Sequence, residues 1–425
     1  METQEVSHIS PEPLPECTIV EYILSNPYQV PPDKIIKIEA EGNRQLTYKV
    51  SFCESIKDVA SGIRTELPHL AEGDSAFVLS PNTFMLPSLL LGSMGRGLVP
   101  VAILSSASAS EIRHALNLVA PEGPKVVFVH PSLLAIAKQV IEELSLAISP
   151  QLVLVARPPD CELELLDLDH LIKAGQKHPQ PIAELRKPAK ESLGAIHFSS
   201  GTTGPPKAVQ TIHLQLLAAT RVCISATPYL FQPDGRLLSY LPLALGYGQG
   251  TTNVLIDRFC LSNFLEAIEK HHITALAITP PVSLLLAQDP LVDEFDLSSL
   301  RDIFTAGSTT PLEVMQTVKR RLGVNVWNGL GMTETFLSIC PPLSMREPNG
   351  SVGRPCPGVQ VKIVNDQGSE LGEEQVGELI VKSACCTTLG YLKNEMATSE
   401  TLKDGWSTDM TSRLPSSKLS SFFIL

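Results

Sequence analysis

The stretch from residue 197 to residue 209 reads HFSSGTTGPPKAV, and it carries the strongest signal in the chain. An apolar run at 195–198, typical of a buried strand, leads into six small or hydroxylated residues. Their backbone N–H groups and hydroxyls can face phosphate oxygens, and the glycines let the backbone approach an anion closely. Lys207 adds a positive charge. The stretch therefore predicts a phosphate-binding loop that follows a buried strand.

Lys207 does not stand where the lysine of a Walker A motif would. That motif places lysine directly after a glycine and a hydroxyl residue directly after the lysine. Here Lys207 comes three residues after Gly204 and is followed by Ala208. A P-loop kinase or ATPase is therefore disfavoured, although the loop alone leaves it open.

Short apolar runs alternate with segments of helical periodicity between about residues 75 and 330. The runs lack polar alternation, as in strands that are covered on both faces. They lie at 76–79, 126–129, 152–156, 195–198, 237–241, 276–279, 303–305 and 324–327. Helical spacing of apolar positions is found at 110–119, 131–144, 261–270 and 311–321. This alternation predicts an α/β architecture with largely parallel sheets.

The pattern changes after residue 350. Residues 358–364 and 377–382 alternate between apolar and polar positions, and a turn-forming stretch, 365–368, follows the first of them. Such a pattern predicts antiparallel strands of a separate small subdomain.

The composition excludes several classes of protein. With 43% apolar residues the 425-residue chain can bury a sizeable core, and its net charge of −12 argues against binding nucleic acid. The nine cysteines contain no C-x-x-C pair, which fits reduced thiols. The first 15 residues lack the apolar stretch of a secretory signal, and the apolar segment 84–95 is too short to span a bilayer. We expect a cytoplasmic protein with no membrane span and no nucleic-acid partner.

Further motifs accompany the loop. They are LTY at 46–48, GD at 73–74, NGLGMTE at 328–334, GSVGRP at 350–355, GEL at 377–379, GY at 390–391 and DGW at 404–406. In this order they resemble the motifs of the adenylate-forming (AMP-binding) superfamily, over roughly residues 20–409. Within that superfamily, residues 26–33 make the chain most similar to the 4-coumarate–CoA ligase-like acyl-CoA synthetases.

The resemblance implies a fold and a domain organisation. It implies an α/β protein with two mostly parallel sheets covered by helices and a small distorted β-barrel subdomain. We expect an N-terminal extension at 1–45, an AMP-binding α/β core of two subdomains at 46–349 and a small β-rich subdomain at 350–409. Residues 410–425 form an atypical tail.

The resemblance also implies a two-step reaction. A carboxylate attacks the α-phosphate of ATP to give an acyl-adenylate and pyrophosphate, and a thiol, usually that of coenzyme A, then displaces AMP. Because the carboxylate is already a competent nucleophile, catalysis consists of positioning and charge neutralisation. The catalytic residues implied are Lys207, Thr333 and Glu334, with Glu334 as the Mg²⁺ ligand.

The remaining site residues follow from the same motifs. Those implied to bind the nucleotide, besides Lys207 and Thr333, are Ser199, Ser200, Gly201, Thr202, Thr203, Gly204, Ser308, Thr309, Thr310, Asn328, Gly329, Leu330 and Asp409. For residues 308–310, a role as helix N-cap is the alternative.

The acyl pocket is expected around residues 241–248. Leu245 and Tyr247 are its candidate substrate-binding residues, and Arg258 is a candidate for contact with coenzyme A; core packing and a plain surface role are the alternatives. The family often has Phe-His before the position of Tyr247, where this chain has Ala244 and Leu245. We therefore expect a more apolar pocket that prefers an aliphatic or aryl-alkyl acid to 4-coumarate.

The chain departs from the family pattern in several places. Leu330 replaces the aromatic residue that usually stacks on adenine, Ala208 replaces a glycine, and Asp409 lacks the glycine that normally precedes the ribose-binding aspartate. Beyond Asp409 the family continues into a C-terminal lid of roughly a hundred residues. Residues 411–425 (TSRLPSSKLSSFFIL) resemble no part of it. We expect the lid to be absent, the ligase activity to be impaired, and the apolar end to need a docking place.

Three hypotheses other than the acyl-CoA ligase remain at this stage. The chain could be a non-catalytic protein that binds ATP or an acyl-adenylate, or the P-loop enzyme considered above. It could also adenylate an acid and pass the acyl group to the phosphopantetheine thiol of a carrier protein. The cofactors and co-substrates expected for the ligase are ATP, Mg²⁺ and coenzyme A, and its substrate is a small carboxylic acid.

Overall fold

The computed structural model describes residues 13–144, 149–157, 164–199, 205–239, 250–341, 351–372, 375–415 and 423–424. Of these, residues 409–415 and 423–424 are described by their backbone only. The helices in these ranges are α1 (Ile19–Leu24), α2 (Glu54–Glu66), α3 (Leu86–Gly95), α4 (Ala109–Val119), α5 (Leu134–Glu143), α6 (Leu168–Lys177), α7 (His213–Ala226), α8 (Leu261–His271), α9 (Pro280–Gln288), α10 (Leu312–Leu322) and α11 (Glu395–Thr401). The strands are β1 (Ile35–Glu39), β2 (Gln45–Thr47), β3 (Ser75–Leu79), β4 (Val99–Ile103), β5 (Val126–Val129), β6 (Gln151–Leu154), β7 (Leu166–Asp167), β8 (Leu193–Ser199), β9 (Lys207–Ile212), β10 (Arg236–Ser239), β11 (Thr252–Leu255), β12 (Ala275–Ile278), β13 (Asp302–Thr305), β14 (Asn325–Asn328), β15 (Leu330–Met332), β16 (Phe336–Cys340), β17 (Ser351–Pro355), β18 (Gln360–Val364), β19 (Val376–Lys382), β20 (Leu402–Lys403), β21 (Trp406–Pro415) and β22 (Phe423–Ile424).

Two seven-stranded sheets dominate the described part of the chain. Their strand orders are β7-β6-β5-β3-β4-β8-β9 and β14-β13-β12-β10-β11-β1-β2. Neighbouring strands are parallel throughout, except for the antiparallel edge pairs β8-β9 and β1-β2. Every apolar run predicted as a strand overlaps a strand of these sheets, so the predicted α/β architecture with mostly parallel sheets is confirmed.

Apolar side chains cover both faces of the first sheet, as the unbroken apolar runs require. Along β3, Phe77 and Leu79 pack into the cluster that contains Ile112 of α4, while Ala76 and Val78 pack into the opposite cluster with Val59 of α2. Successive side chains of a strand point to opposite faces, so one short strand contributes to two cores. This burial holds the carboxyl ends of the strands in fixed positions.

The helices lie close to their predicted ranges. One difference concerns the segment predicted as helical from 131 to 144, of which α5 forms only Leu134–Glu143. A 3₁₀ turn, Pro131–Leu133, precedes it, and the His130 side chain accepts a hydrogen bond from the backbone N–H of Ser132. This local cap delays the α-helix by one turn. None of the helices in the described ranges is both long and apolar enough to cross a membrane.

Two four-stranded sheets, β15-β16-β17-β22 and β18-β19-β21-β20, complete the described part of the chain, and all strands of the second come after residue 350. The predicted antiparallel pairing of 358–364 with 377–382 is confirmed by β18 and β19, whose register places Ile363 opposite Leu379. Asn365 shapes the predicted turn by accepting hydrogen bonds from the backbone N–H groups of residues 367 and 369. In the tail, the backbone of Phe423 and Ile424 forms β22, which pairs antiparallel with β17.

Candidate functional site

The carboxyl ends of β13 and β14 bring two predicted nucleotide-binding segments together. These strands are parallel neighbours, and their last residues, Thr305 and Asn328, lie opposite each other. The backbone N–H of Gly329 donates to the Thr305 carbonyl at 3.1 Å. The chain leaves β13 towards residues 308–310 and leaves β14 towards residues 329–334. Ligands of α/β sheets bind at such an edge.

Thr310 belongs to a buried hydroxyl pair. Its Oγ1 lies 2.7 Å from Oγ1 of Thr305, and both residues are buried. The N-cap position of α10 is Pro311, which has no side chain that could cap the helix. The alternative role of Thr310 as a helix cap is therefore wrong. Ser308 and Thr309 are exposed.

Asn328 is a buried side chain with an unused acceptor. It is only 2% exposed, and its Oδ1 has no hydrogen-bond partner among the described residues. Thr305, its neighbour in the register, pairs its hydroxyl with that of Thr310 instead. A buried acceptor without a donor is costly, so a ligand that presents an N–H group here would be favoured. The exocyclic amine of adenine is such a donor.

The chain is open to solvent shortly after β13. Gly307 has a φ of +96°, a conformation that side-chain-bearing residues rarely adopt, and a Cβ placed on it would meet no atom within 4 Å. Gly307 is itself exposed, so no side chain fills the space beside the segment that follows β13. Leu330, which replaces the family's aromatic residue, is half-buried and packs against the core cluster beneath the edge of this sheet.

The predicted phosphate loop joins two antiparallel strands. In the β8-β9 register, Ser199 lies opposite Lys207, so the strand that leads in and the lysine that follows are adjacent. Ser200, Gly201, Thr202, Thr203 and Gly204 lie outside the described residues. Lys207 begins a strand, whereas the Walker A lysine stands at the start of a helix. The P-loop alternative is therefore wrong.

Lys207 and Glu334 both contact the side chain of Tyr391. The Lys207 Nζ lies 4.9 Å from the centre of the Tyr391 ring, within the range of a cation–π contact. On the other side, the Tyr391 hydroxyl donates to Oε1 of Glu334 at 2.7 Å. Glu334 is 7% exposed and receives no other side-chain hydrogen bond from the described residues. Burial and the bond to Glu334 raise the pKa of Tyr391, so the phenol remains a donor.

Backbone contacts fix the loop around Glu334. The backbone N–H of Thr387 donates to the Glu334 carbonyl at 2.8 Å, and the Thr387 hydroxyl donates to the Gln210 carbonyl at 2.6 Å. Gln215 of α7 is fully buried and donates through Nε2 to the carbonyls of Cys385 and Glu334. A residue of α7 and the loop after β19 therefore hold the backbone of Glu334 in place.

The described residues contain no group of three or more His, Cys, Asp or Glu side chains that could hold a metal ion by themselves. Mg²⁺ is a cation that can bind through one or two carboxylates together with waters and substrate phosphates. Glu334 offers one carboxylate oxygen that the Tyr391 hydroxyl does not use.

Some predicted residues are not brought into this arrangement. Leu245 and Tyr247 lie outside the described residues, and so does the side chain of Asp409. Arg258 is exposed and makes no hydrogen bond or ion pair with any described residue. Thr333 stands directly before Glu334 and is half-buried. The roles given to these residues stay predictions.

Sequence reasoning missed Tyr391, Gln215 and Thr387. Tyr391 was noted only as part of a Gly-Tyr motif, and nothing in the local pattern linked it to a carboxylate 57 positions away. Gln215 stands in the apolar half-turn of α7 between Leu214 and Leu216, and an amide among apolar neighbours was the one signal that could have pointed to it.

A family profile described as "AMP-binding enzyme" matches residues 26–392 of the chain. Among curated proteins, the chain is 31% identical over 355 residues to "4-coumarate--CoA ligase-like 8" of Arabidopsis thaliana, covering 79% of this chain and 62% of that protein. It is 28% identical over 387 residues to "4-coumarate--CoA ligase-like 9" of the same plant, covering 87% of this chain and 65% of that protein. The chain thus spans less than two thirds of the length of these two relatives.

The fold is also found in solved structures. The anthranilate CoA ligase AuaEII, in complex with anthranoyl-AMP, superposes with a TM-score of 0.81 at 20% identity, covering 94% of this chain and 75% of that one. At this level of identity the match establishes the fold: two helix-covered sheets with a small antiparallel sheet attached.

Proposed function

The chain belongs to the AMP-binding enzyme family, and from that premise we propose that it activates a carboxylic acid with ATP and passes the acyl group to coenzyme A. In the first step a carboxylate oxygen attacks the α-phosphorus, the bond to the bridging oxygen breaks, and pyrophosphate leaves. In the second step the thiol sulfur attacks the acyl carbon, its proton is lost, and AMP leaves.

The observation that carries the proposal is the Lys207–Tyr391–Glu334 arrangement. A cationic side chain and a buried carboxylate flank one tyrosine, next to a loop rich in hydroxyls and glycine. Charge on the phosphates develops during the attack, and fixed charges lower the barrier most when no reorganisation is needed. Lys207 and the loop would neutralise the β- and γ-phosphates, and Thr333 would contact the α-phosphate.

The site also fits ATP and Mg²⁺ on its own chemistry. The unpaired acceptor of Asn328 suits the amine of adenine, and the open space at Gly307 suits its ring. Glu334 would hold Mg²⁺, which when bound neutralises negative charge on the phosphates. Asp409 would bind the ribose. Stacking of a base on an aromatic side chain is worth about 1–3 kcal/mol in nucleic-acid complexes. Leu330 can contact the adenine but cannot stack on it in this way, so we expect a lower affinity for the nucleotide.

The acid and its acceptor are the finer part of the proposal. Leu245 and Tyr247 would line an acyl pocket that prefers an aliphatic or aryl-alkyl acid, and Arg258 would contact coenzyme A. We propose coenzyme A as the acceptor of the acyl group, because the names of the relatives contain it. No contact of the described residues favours a carrier protein instead.

The test is carboxylate-dependent ATP–pyrophosphate exchange by the 425-residue chain across a panel of acids, because exchange isolates the first step. We expect exchange with at least one acid, and a loss of about 100-fold or more in Glu334→Gln. Glu313→Gln is the matched control, since Glu313 is an exposed carboxylate on α10. ATP binding without exchange for any acid would instead favour a non-catalytic binding protein, and steady release of ADP would contradict adenylation.

A further inference from the structure

A short segment that the sequence did not assign to the site touches both of its charged residues. Residues 385–392, named here the bridging segment, link the strand of Lys207 to the turn of Glu334. On one side the backbone N–H of Gln210 donates to Gly390 and that of Leu392 donates to Ala208, at 3.0 and 2.9 Å. On the other side Thr387 donates to the Glu334 carbonyl.

Tyr391 is the side chain of the bridging segment that reaches between the two charges. It is 7% exposed, so water does not compete for its hydroxyl. The hydroxyl occupies Oε1 of Glu334, while Oε2 receives no hydrogen bond from the described residues. A carboxylate with one oxygen bonded has a restricted rotation, and its second oxygen remains available to a cation.

The ring of Tyr391 acts on the other charge. Its face lies 4.9 Å from the Lys207 ammonium. A cation held over a ring loses less freedom when it binds an anion, because part of its ordering has already taken place. One rigid side chain therefore sets where the ammonium and the carboxylate stand relative to each other.

We propose that Tyr391 is a positioning residue, which orients Glu334 for Mg²⁺ through its hydroxyl and Lys207 for phosphate through its ring. The inference rests on the proposed function, since it concerns the binding of Mg·ATP. It goes beyond the family's motifs because it assigns separate tasks to two parts of one side chain.

A purely structural role for Tyr391 makes a different prediction. The ring also packs against Val209 and Ala397, and a residue that only fills this space would affect stability alone. The backbone supports a more specific arrangement. Gly390 has a φ of +68° and lies so close to Thr398 that a Cβ would stand 2.2 Å from its methyl group, so the segment approaches α11 as tightly as it can.

The experiment separates the two parts of the side chain. ATP binding by the full chain is measured calorimetrically with Mg²⁺ and, separately, with EDTA. Tyr391→Phe keeps the ring and removes the hydroxyl, so we expect binding about tenfold weaker with Mg²⁺ and unchanged within about twofold with EDTA. Tyr391→Leu removes the ring as well, and we expect an additional loss of about threefold in EDTA.

Tyr48→Phe is the matched control. Tyr48 is buried in a different core cluster and donates its hydroxyl to the Ile23 carbonyl. Its loss should lower the melting temperature and leave the ratio of the two affinities unchanged. If Tyr391→Phe lowers only the melting temperature and keeps the wild-type ratio, the positioning role is overturned and the proposed function stands. If the wild-type chain binds ATP in neither condition, the proposed function fails, and the positioning role fails with it.

Discussion

Replacing Asn328 by leucine should stabilise the ATP-free protein and weaken its hold on ATP. The side chain is 2% exposed and its Oδ1 has no partner among the described residues. Leucine has nearly the same shape and no polar atom, so the replacement removes a desolvated acceptor without opening a cavity. Stability and binding therefore move in opposite directions, which a simple packing residue would not produce.

The magnitude follows from the energetics of a buried acceptor. Leaving one unsatisfied costs about 1–3 kcal/mol, and Asn328→Leu should recover part of this. For a chain of 425 residues such a gain raises the melting temperature by roughly 1–3 °C. When ATP is bound, the same acceptor receives the adenine amine, so the variant loses about 1–2 kcal/mol of affinity, or roughly five- to thirtyfold in Kd.

The assay compares ATP with ITP, which carries a carbonyl in place of the amine. The wild-type chain should prefer ATP, and Asn328→Leu should bring the two nucleotides to within about twofold of each other, because the discriminating acceptor is gone. Asn325→Leu is the matched control on the same strand. Its amide donates to Asp302 at 3.0 Å, so its loss should lower stability and leave nucleotide preference unchanged.

Two results would refute this reasoning. A lower melting temperature for Asn328→Leu would mean that the acceptor is satisfied in the ATP-free protein. An unchanged preference for ATP over ITP would mean that the adenine amine is recognised by a different group.

Three other predictions concern charge, pH and substrate. Lys207→Met should weaken ATP binding by about tenfold or more and make the affinity less dependent on salt, which titrations at two ionic strengths can show. In the control, Lys190→Met at an exposed position, the affinity and its salt dependence should stay as in the wild type. Burial lowers the pKa of His213 to about 4, whereas the unfolded chain binds the proton near pH 6.5. The contribution of His213 to stability should therefore fall by about 3 kcal/mol as the pH drops from 7 to 4, and urea unfolding of His213→Gln should show a shallower fall than the wild type. In exchange assays a medium-chain fatty acid should give a higher kcat/KM than 4-coumarate; the reverse order would contradict the apolar acyl pocket.

The sequence predicted the elements of the fold well where the signal was local. The run at 126–129 is a strand with those bounds because four consecutive apolar residues can be covered on both faces only inside a helix-flanked sheet. The antiparallel pairing of 358–364 with 377–382 followed from alternation beside a turn. Pairing partners across long stretches, such as β1 with β11, were not predictable because no local pattern encodes them.

The site shows the same division. Residue types with an evident chemical task, Lys207 and Glu334, were predicted from their motifs, and the structure places both against one tyrosine. The role of Tyr391 was not predicted, because a tyrosine after a glycine carries no sign of what its hydroxyl meets. The interpretation of Thr310 was open between ligand contact and helix capping. Only the structure excludes the cap, because Pro311 takes the N-cap position and Thr310 pairs with the hydroxyl of Thr305.

The bridging segment has a consequence for the order in which the protein is made. Leu389 of this segment accepts a hydrogen bond from the side chain of Gln210, which lies 179 positions earlier in the chain. At a synthesis rate of about 5–20 residues per second, the strand of Lys207 leaves the ribosome roughly 10–40 s before the segment that completes its surroundings. During that interval the first sheet can fold, but Lys207 does not yet have its contact with the ring of Tyr391. The ability to hold a nucleotide should therefore arise late and abruptly in the growing chain, as the last strands join the earlier ones.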